Sequence, residues 1–326
     1  MKKALSRFAL FLSPIIVVAV VLEIVLRQLP HDFKYKRVQM EQRYDKIETL
    51  IMGGSHTYYG VDPEQFDAET FNLAYVSQSL FFDYLLLDRY IDSMPNLKDV
   101  VLMIAHASLT YMFSEGEEDW RKFNYYRHYD ITPPYHQWYD KYYLEILNLP
   151  VQRSIKKVYQ YYLLHKSLIS STPSGWCDEY HMMHSMDLEK TGKEEAHKHD
   201  SPSLDFTWNL ENLRKIIDLC AQRGIRVHAI NFPTYTSYRE NLNPVKYKMV
   251  IDTCDWLARE FDNVYHFDLD GDPRFTFEDF YDGDHLNDAG ALKCSRIVNE
   301  YLESIKAEQT AKAEQTAKAD KASGHP

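Results

Sequence analysis

The chain has 326 residues, 45% of them hydrophobic, and a formal net charge of −11. Length and apolar content fit a globular body with a substantial core, and the acidic balance excludes a nucleic-acid or generally anionic membrane surface as the main partner. Aromatic residues make up 14%, with 25 Tyr crowded in the middle third. At the N-terminus, Met1-Lys2-Lys3 and Arg7 precede an apolar run from Phe8 to Leu26, about as long as a bilayer core is thick. An uncleaved anchor over residues 1–27 is the expectation: Leu22-Glu23-Ile24-Val25-Leu26-Arg27 stands where a signal peptide would carry a small-residue cleavage site. Lys2, Lys3 and Arg7 favour a cytoplasmic N-terminus and an extracytoplasmic body.

A polar linker, 28–44, then leads to a strand candidate, Ile47–Met52, that runs into Gly53-Gly54-Ser55. A short strand Phe71–Ala74, a helix Leu80–Ile91 ending before Pro95, and the buried-strand run Val100–Ile104 follow. From 107 to 202 the alternation stops, and stretches such as Asn124–Tyr129 and Tyr135–Tyr139 suggest a helical, aromatic-rich insertion. Leu210, Leu213, Ile217 and Cys220 then repeat at helical spacing, with Gly224 as the cap. Strand Ile225–Phe232, helix Pro244–Glu260, strand Val264–Leu269 and a last helix from Asn287 or Asp288 to about Ile305 complete the pattern. The repeated Ala-Glu-Gln-Thr-Ala-Lys of 306–326 is expected to be a disordered tail. Such alternation predicts an α/β fold, a parallel sheet flanked by helices in three flavodoxin-like layers, built from 45–106 and 203–305. Cys177, Cys220, Cys254 and Cys294 have neither redox-motif nor metal-ligand spacing, and the last three fit buried thiols in helices.

Ser55 directly after the first strand, and Asp282 and His285 before the last helix, supply a nucleophile, an orienting carboxylate and a base, and parallel sheets gather such groups at their carboxyl edge. Other assignments compete. Asp284 can replace Asp282, His56 can replace His285, and His106 reads as a satisfied histidine at a strand end. His181, His184, His197 and His199 are spaced irregularly in a Lys- and Glu-rich stretch, better read as a solvated loop than as metal ligands. No metal or other cofactor is expected.

Gly53-Gly54-Ser55-His56 resembles the nucleophile turn of the SGNH or GDSL-like hydrolases and acyltransferases, with Gly54 in the Asp position. Asp282-Gly283-Asp284-His285 resembles their last block, Asp-x-x-His, and Leu286-Asn287-Asp288-Ala289-Gly290 its continuation. The resemblance implies an SGNH-like fold with Ser55 as nucleophile, His285 as base and Asp282 as its orienting group. Asn72-Leu73-Ala74-Tyr75-Val76-Ser77 is similar to the second block, which makes the Ser77 backbone N–H an oxyanion donor and, with Ser55, Asn72 an oxyanion or substrate contact. The third block's Gly-x-Asn-Asp is replaced by Ala105-His106-Ala107-Ser108, so His106 or Ser108 must stand in for the oxyanion asparagine. Loss of such a donor costs roughly two to three orders of magnitude in rate, which favours a specialised transferase over a general hydrolase.

The chain is also similar to membrane-anchored members of alginate O-acetylation and teichoic-acid D-alanylation systems. That similarity implies an esterase or O-acyltransferase acting on acylated envelope carbohydrate, with a membrane-bound O-acyltransferase as partner. Aromatic faces bordering the site suit sugar rings. The competing expectation is an inactive domain of the same fold that binds glycan or scaffolds an assembly complex.

Overall fold

The computed structural model describes residues 2–111, 119–132, 141–148 and 150–323. In chain order the elements are α1 (Lys2–Gln28), α2 (Asp32–Glu41), β1 (Thr49–Met52), α3 (Ser55–Gly60), β2 (Thr70–Asn72), α4 (Leu80–Tyr90), β3 (Asp99–Met103), α5 (Lys122–Tyr129), α6 (Val151–Tyr162), α7 (Leu188–His199), α8 (Thr207–Ala221), β4 (Arg226–Asn231), α9 (Thr236–Arg239), α10 (Pro244–Glu260), β5 (Val264–Asp268) and α11 (Asp288–Ser323). They divide into two compact units, Met1–Gln42 with Met112–Ser171, and Arg43–Tyr111 with Thr172–Pro326.

The second unit holds a five-stranded sheet in the order β2-β1-β3-β4-β5, every pair parallel. This is the expected α/β architecture with a flavodoxin-like strand order. Ile51, Val101, Met103 and Ile230 project from one face into a core closed by Cys294, Val298 and Leu302 of α11. Leu50, Val100, Leu102 and Ala229 alternate to the other face and are equally buried; there α8 packs on β4 and α4 packs on α8. Burial on both faces is why these strands read as unbroken apolar runs. At the amino edge, Asp99 accepts both prongs of Arg226, at 2.7 and 2.8 Å, and pairs with His228 at 2.8 Å. Burial alone would raise the Asp99 pKa; His228 and Arg226 outweigh it and hold it at about 2. That network fastens β3 to β4.

Three expectations need correction. Residues 28–44 are not a plain linker, since they include α2, whose N-cap His31 accepts the Phe33 N–H through Nδ1. The last helix does not stop near Ile305: Ala, Glu, Gln and Lys, which make its repeat hydrophilic, are also strong helix formers, and α11 runs on to Ser323. The aromatic segment divides rather than standing as one insertion over 107–202. Its part from Thr172 onward belongs with the sheet unit, tied by Trp176 Nε1–H to Tyr59 O at 2.6 Å and by Cys177 N–H to Tyr58 O at 3.1 Å.

In the first unit, α2 and α5 pack through an edge-to-face Phe33–Tyr125 pair, with His31 stacked on His128. The aromatic stretch thus builds a small core of its own; Tyr135–Tyr139 lies outside the described residues. Helix α1 is long and apolar enough to cross a membrane, and its apolar side chains from Phe8 to Ile24 are largely exposed. All four cysteines are free and buried.

Candidate active site

β1 ends in a turn that only glycine can make at its first position. Gly53 has φ +122°, and a Cβ there would come 2.5 Å from Met103 Cβ on the neighbouring strand. Gly54 is the N-cap of α3, Ser55 its first residue, and Thr57 Oγ1 donates back to Gly54 O at 3.0 Å. Below the turn, Asp83 accepts hydrogen bonds from Gln78 Nε2, at 2.6 Å, and from the Gly53 N–H. Burial outweighs both and pushes the Asp83 carboxyl up to about 7.

Asn72 at the end of β2 donates to Thr57 O at 2.7 Å and Val61 O at 2.9 Å, and accepts from Ala74 N at 3.0 Å. Its amide anchors α3 and does not line the serine's cavity, so the expected oxyanion or substrate contact is replaced by a positioning role. Ser77 does line the cavity, in a left-handed backbone conformation with φ +59°, which explains why glycine suits that place. Ser77→Gly is expected to raise stability by up to about 1 kcal/mol, read as a higher denaturant midpoint.

The His285 loop is built as tightly. Asp282 Oδ1 accepts the backbone N–H groups of Asp284, at 3.1 Å, and His285, at 2.8 Å, while its two oxygens lie 3.0 and 3.1 Å from His285 Nδ1. This pairing fixes the imidazole with its Nδ1 proton toward Asp282. Asp284 Oδ1 is 3.2 Å from the same nitrogen. Asn287 holds the loop from beneath, donating to Glu278 O and Phe280 O. Burial would depress the His285 pKa, but Asp284 and Asp282 outweigh it and hold it well above the ordinary value. Asp284 is fully buried; its desolvation is likewise outweighed, by His285 and His56, and its pKa lies well below the usual range.

A cavity of about 100 Å³ opens at the carboxyl edge between β1 and β3, the topological switch point of this strand order, where such sheets bind ligands. Ser55, Ser77 and Ser108 line it together, with His56, His199 and Tyr238. His106 does not. It faces a neighbouring cavity, 3.5 Å from Asp200, and burial, then Lys246, depresses it to about 4. Ser108 Oγ accepts the Ala105 N–H at 2.8 Å, leaving its own O–H to donate.

Asp282 and His285 are not among the residues that line the cavity. The His285 ring centroid is 5.4 Å from that of His56, and among the described residues no hydrogen bond joins Ser55 to His285. Among the described residues, the Nε2 atoms of both histidines have no hydrogen-bond partner and are buried, as are both Asp284 oxygens. His56 Nε2 lies 3.7 Å from Asp284 Oδ2, so the residue beside the serine points toward the buried carboxylate.

Helix α7 brings in His199, expected to lie in a solvated loop. Its Nδ1 is 3.0 Å from Tyr238 Oη and 3.8 Å from Asp284 Oδ2. Two glycines make this approach possible: a Cβ on Gly283 would overlap the Gly192 backbone, and one on Gly192 would overlap Ser237. No local sequence signal marks this approach, which depends on packing between Gly192 and Gly283. Tyr180 adds a wall that composition alone did not locate, stacked between Tyr59 and Tyr281 and edge-on to His285.

Donor atoms of His56, Asp284 and His285 lie within 4.8 Å of one another, and so do those of Glu195, His199 and Asp284. Both sets share Asp284, already the counter-ion of His285, so a cation there would displace the imidazolium charge rather than fill a vacant acidic site. His181 instead pairs with Asp288 at 3.2 Å at the surface.

Compared with protein-family models and with curated proteins, the chain finds no match in either. A solved structure carrying the description "The structure of a putative platelet activating factor from Streptococcus pneumonia" aligns with 90% of this chain and 99% of that one, at 13% identity and a TM-score of 0.40, too distant a likeness to carry a functional argument.

Proposed function

We propose that the sheet unit is a serine-dependent acyl-transfer enzyme, an esterase or O-acyltransferase, with Ser55 as nucleophile. One observation carries the reading: Ser55 sits on a tight glycine turn at the switch-point cavity, while the buried Nε2 atoms of His56 and His285 have no hydrogen-bond partner among the described residues and the His285 ring is already fixed by a carboxylate. Ser55 Oγ attacks the ester carbonyl and its proton passes to His285 Nε2. The bond from acyl carbon to leaving oxygen then breaks, that oxygen takes the proton, and the acyl group remains on Oγ. Water or an acceptor hydroxyl reverses these steps. Serine–histidine hydrogen bonds tighten when substrate binds, and His56 Nε2 is the other group available to take the proton. Backbone N–H groups at Ser55 and Ser77 and the Ser108 hydroxyl are the donors for the oxyanion.

The substrate class proposed is an acylated carbohydrate of the cell envelope. Its support is the stacked Tyr59–Tyr180–Tyr281 wall beside His285, a surface suited to sugar faces, and the apolar α1, which would hold the body at an extracytoplasmic membrane face with a membrane-bound O-acyltransferase as acyl source. A fluorophosphonate probe tests the chemistry. The full chain should be labelled and Ser55→Ala should not; absence of labelling in the folded wild-type protein across the alkaline range would favour a glycan-binding scaffold instead.

A further inference from the structure

The whole-chain charge conceals one segment of opposite character. The 16 residues from Val151 to Lys166 contain Arg153, Lys156, Lys157 and Lys166 and no Asp or Glu, in a chain with 48 acidic residues. Most of them form α6, and there the apolar residues fall on one face: Val151, Ile155, Tyr159 and Tyr162 recur at spacings of four, four and three. A helix on a protein core would bury such a stripe. Here these side chains are 48%, 55%, 49% and 43% exposed, and Leu163 just beyond is 67% exposed.

What covers this stripe is indicated by its neighbour. Helix α6 packs against α1 and against the 3-10 turn Glu145–Leu147 within the same unit. That turn is hooked to the last stretch of α1: Glu23 accepts the Ile146 N–H at 3.0 Å, and Arg27 donates to Tyr143 O at 2.8 Å. Glu23 and Arg27, themselves paired at 2.6 Å, mark where the apolar run of α1 ends. Leu144 and Leu147, both exposed, continue the apolar surface from α1 to the start of α6. So α6 begins at the level where a bilayer crossed by α1 would give way to headgroups.

We propose that α6 lies in the headgroup region of the bilayer that α1 crosses, with Val151, Ile155, Tyr159 and Tyr162 inserted among the acyl-chain ends and Arg153, Lys156, Lys157 and Lys166 against anionic lipid phosphates. Apolar burial and charge attraction together give an interfacial helix its affinity, and tyrosine suits a position apolar at one end and wet at the other. The acidic remainder of the chain is not opposed to this, because screening confines the attraction to charges within about 10 Å of the surface. This inference rests on the reading of α1 as a membrane span.

The test uses the full chain reconstituted in phosphatidylcholine vesicles with and without phosphatidylglycerol, carrying a fluorophore at Ile155→Cys or, separately, at Val18→Cys. The native thiols are buried and leave these labels distinct. Lipids bearing a nitroxide near the headgroup should quench the Ile155 label most, deep nitroxides should quench the Val18 label most, and R153E/K156E/K157E should cut the Ile155 quenching several-fold only where phosphatidylglycerol is present. If Val18 is quenched by lipid while Ile155 stays open to aqueous iodide, the proposal is overturned and the span stands. An Ile155 label shielded from both quenchers would also overturn it, in favour of a protein partner on this face. Failure of both labels to meet lipid removes the span and the proposal together.

Discussion

His285→Ala is expected to lower ester turnover by about six orders of magnitude, the size of effect seen when the base of a serine–histidine unit is removed. The loop should survive the change, because Asp282 still accepts the backbone N–H groups of residues 284 and 285. Thermal unfolding should therefore stay cooperative while fluorophosphonate labelling collapses. His56→Ala discriminates between the two unpartnered imidazoles: if it abolishes labelling and His285→Ala does not, the base is His56 and the assignment of His285 is wrong. Asp284→Asn provides a third, independent readout. His285 is held protonated by Asp284 and Asp282 against the effect of burial, so turnover that needs the free base should rise as pH climbs through that elevated pKa. Removing the Asp284 charge should move the rising limb of the pH–rate profile to lower pH. An unmoved limb would show that another group controls it.

The same shift has the opposite sign for stability. A histidine whose folded-state pKa exceeds its unfolded value contributes stability that is fully present below the unfolded pKa, near 6.5, and lost as pH rises through the folded one. Asp83 moves stability the same way by another route: its carboxyl, raised to about 7 from 3.8, leaves the native state progressively less stable as pH rises across that interval. Activity should thus increase over a range in which the fold beneath Ser55 is losing stability. That opposition is a property of a site assembled from buried charge.

Much of this was legible in the sequence because it depended on local periodicity. Continuous apolar runs marked β1, β3 and β4, and Leu213, Ile217 and Cys220 at helical spacing marked α8 with Gly224, at φ +68°, as its cap. Strand order was beyond reach of the pattern, since alternation of strands and helices is compatible with several parallel arrangements. Ser55, Asp282 and His285 were singled out as candidates from chemical type and chain order, and of the three only the Asp282–His285 pair is hydrogen-bonded in the structure. His199 was not. It stands among lysines and glutamates that make α7 hydrophilic, and it reaches Asp284 because of long-range packing between Gly192 and Gly283, which no local property encodes. Asn72 misled for a related reason: its place in a block resembling a substrate-contacting motif suggested substrate, yet its amide donates to Thr57 O within α3 and to Val61 O just beyond it. The length of α11 shows the limit of composition, for a segment too hydrophilic to form a core of its own still has high helix propensity as the extension of a packed helix.

Gly283→Ala is expected to be the most damaging small substitution in the sheet unit. Its Cβ would overlap Cα and N of Gly192, which are backbone atoms of α7 with no rotamer to turn aside. Gly283 cannot withdraw freely either: its N–H donates to Thr191 Oγ1 at 2.9 Å and its carbonyl accepts the Tyr235 N–H at 2.9 Å. Helix α7 and the Asp282–His285 loop must therefore separate, carrying His199 away from Asp284 and shifting the loop, with His285, relative to the serine cavity. Overpacking of this kind costs about 1–3 kcal/mol, and a displacement of about 1 Å in a catalytic group costs about two orders of magnitude in rate. The expected result is a lower melting temperature together with labelling of Ser55 slowed about a hundredfold. Gly224→Ala is the control, because the left-handed residue there has open space around a Cβ and lies at the far end of α8. It should cost about 1 kcal/mol through backbone strain alone and leave labelling at the wild-type rate. Equal effects of the two alanines on labelling would mean that the contact between α7 and the loop does not position the chemistry, and that His285 is held by Asp282 and Asn287 without it.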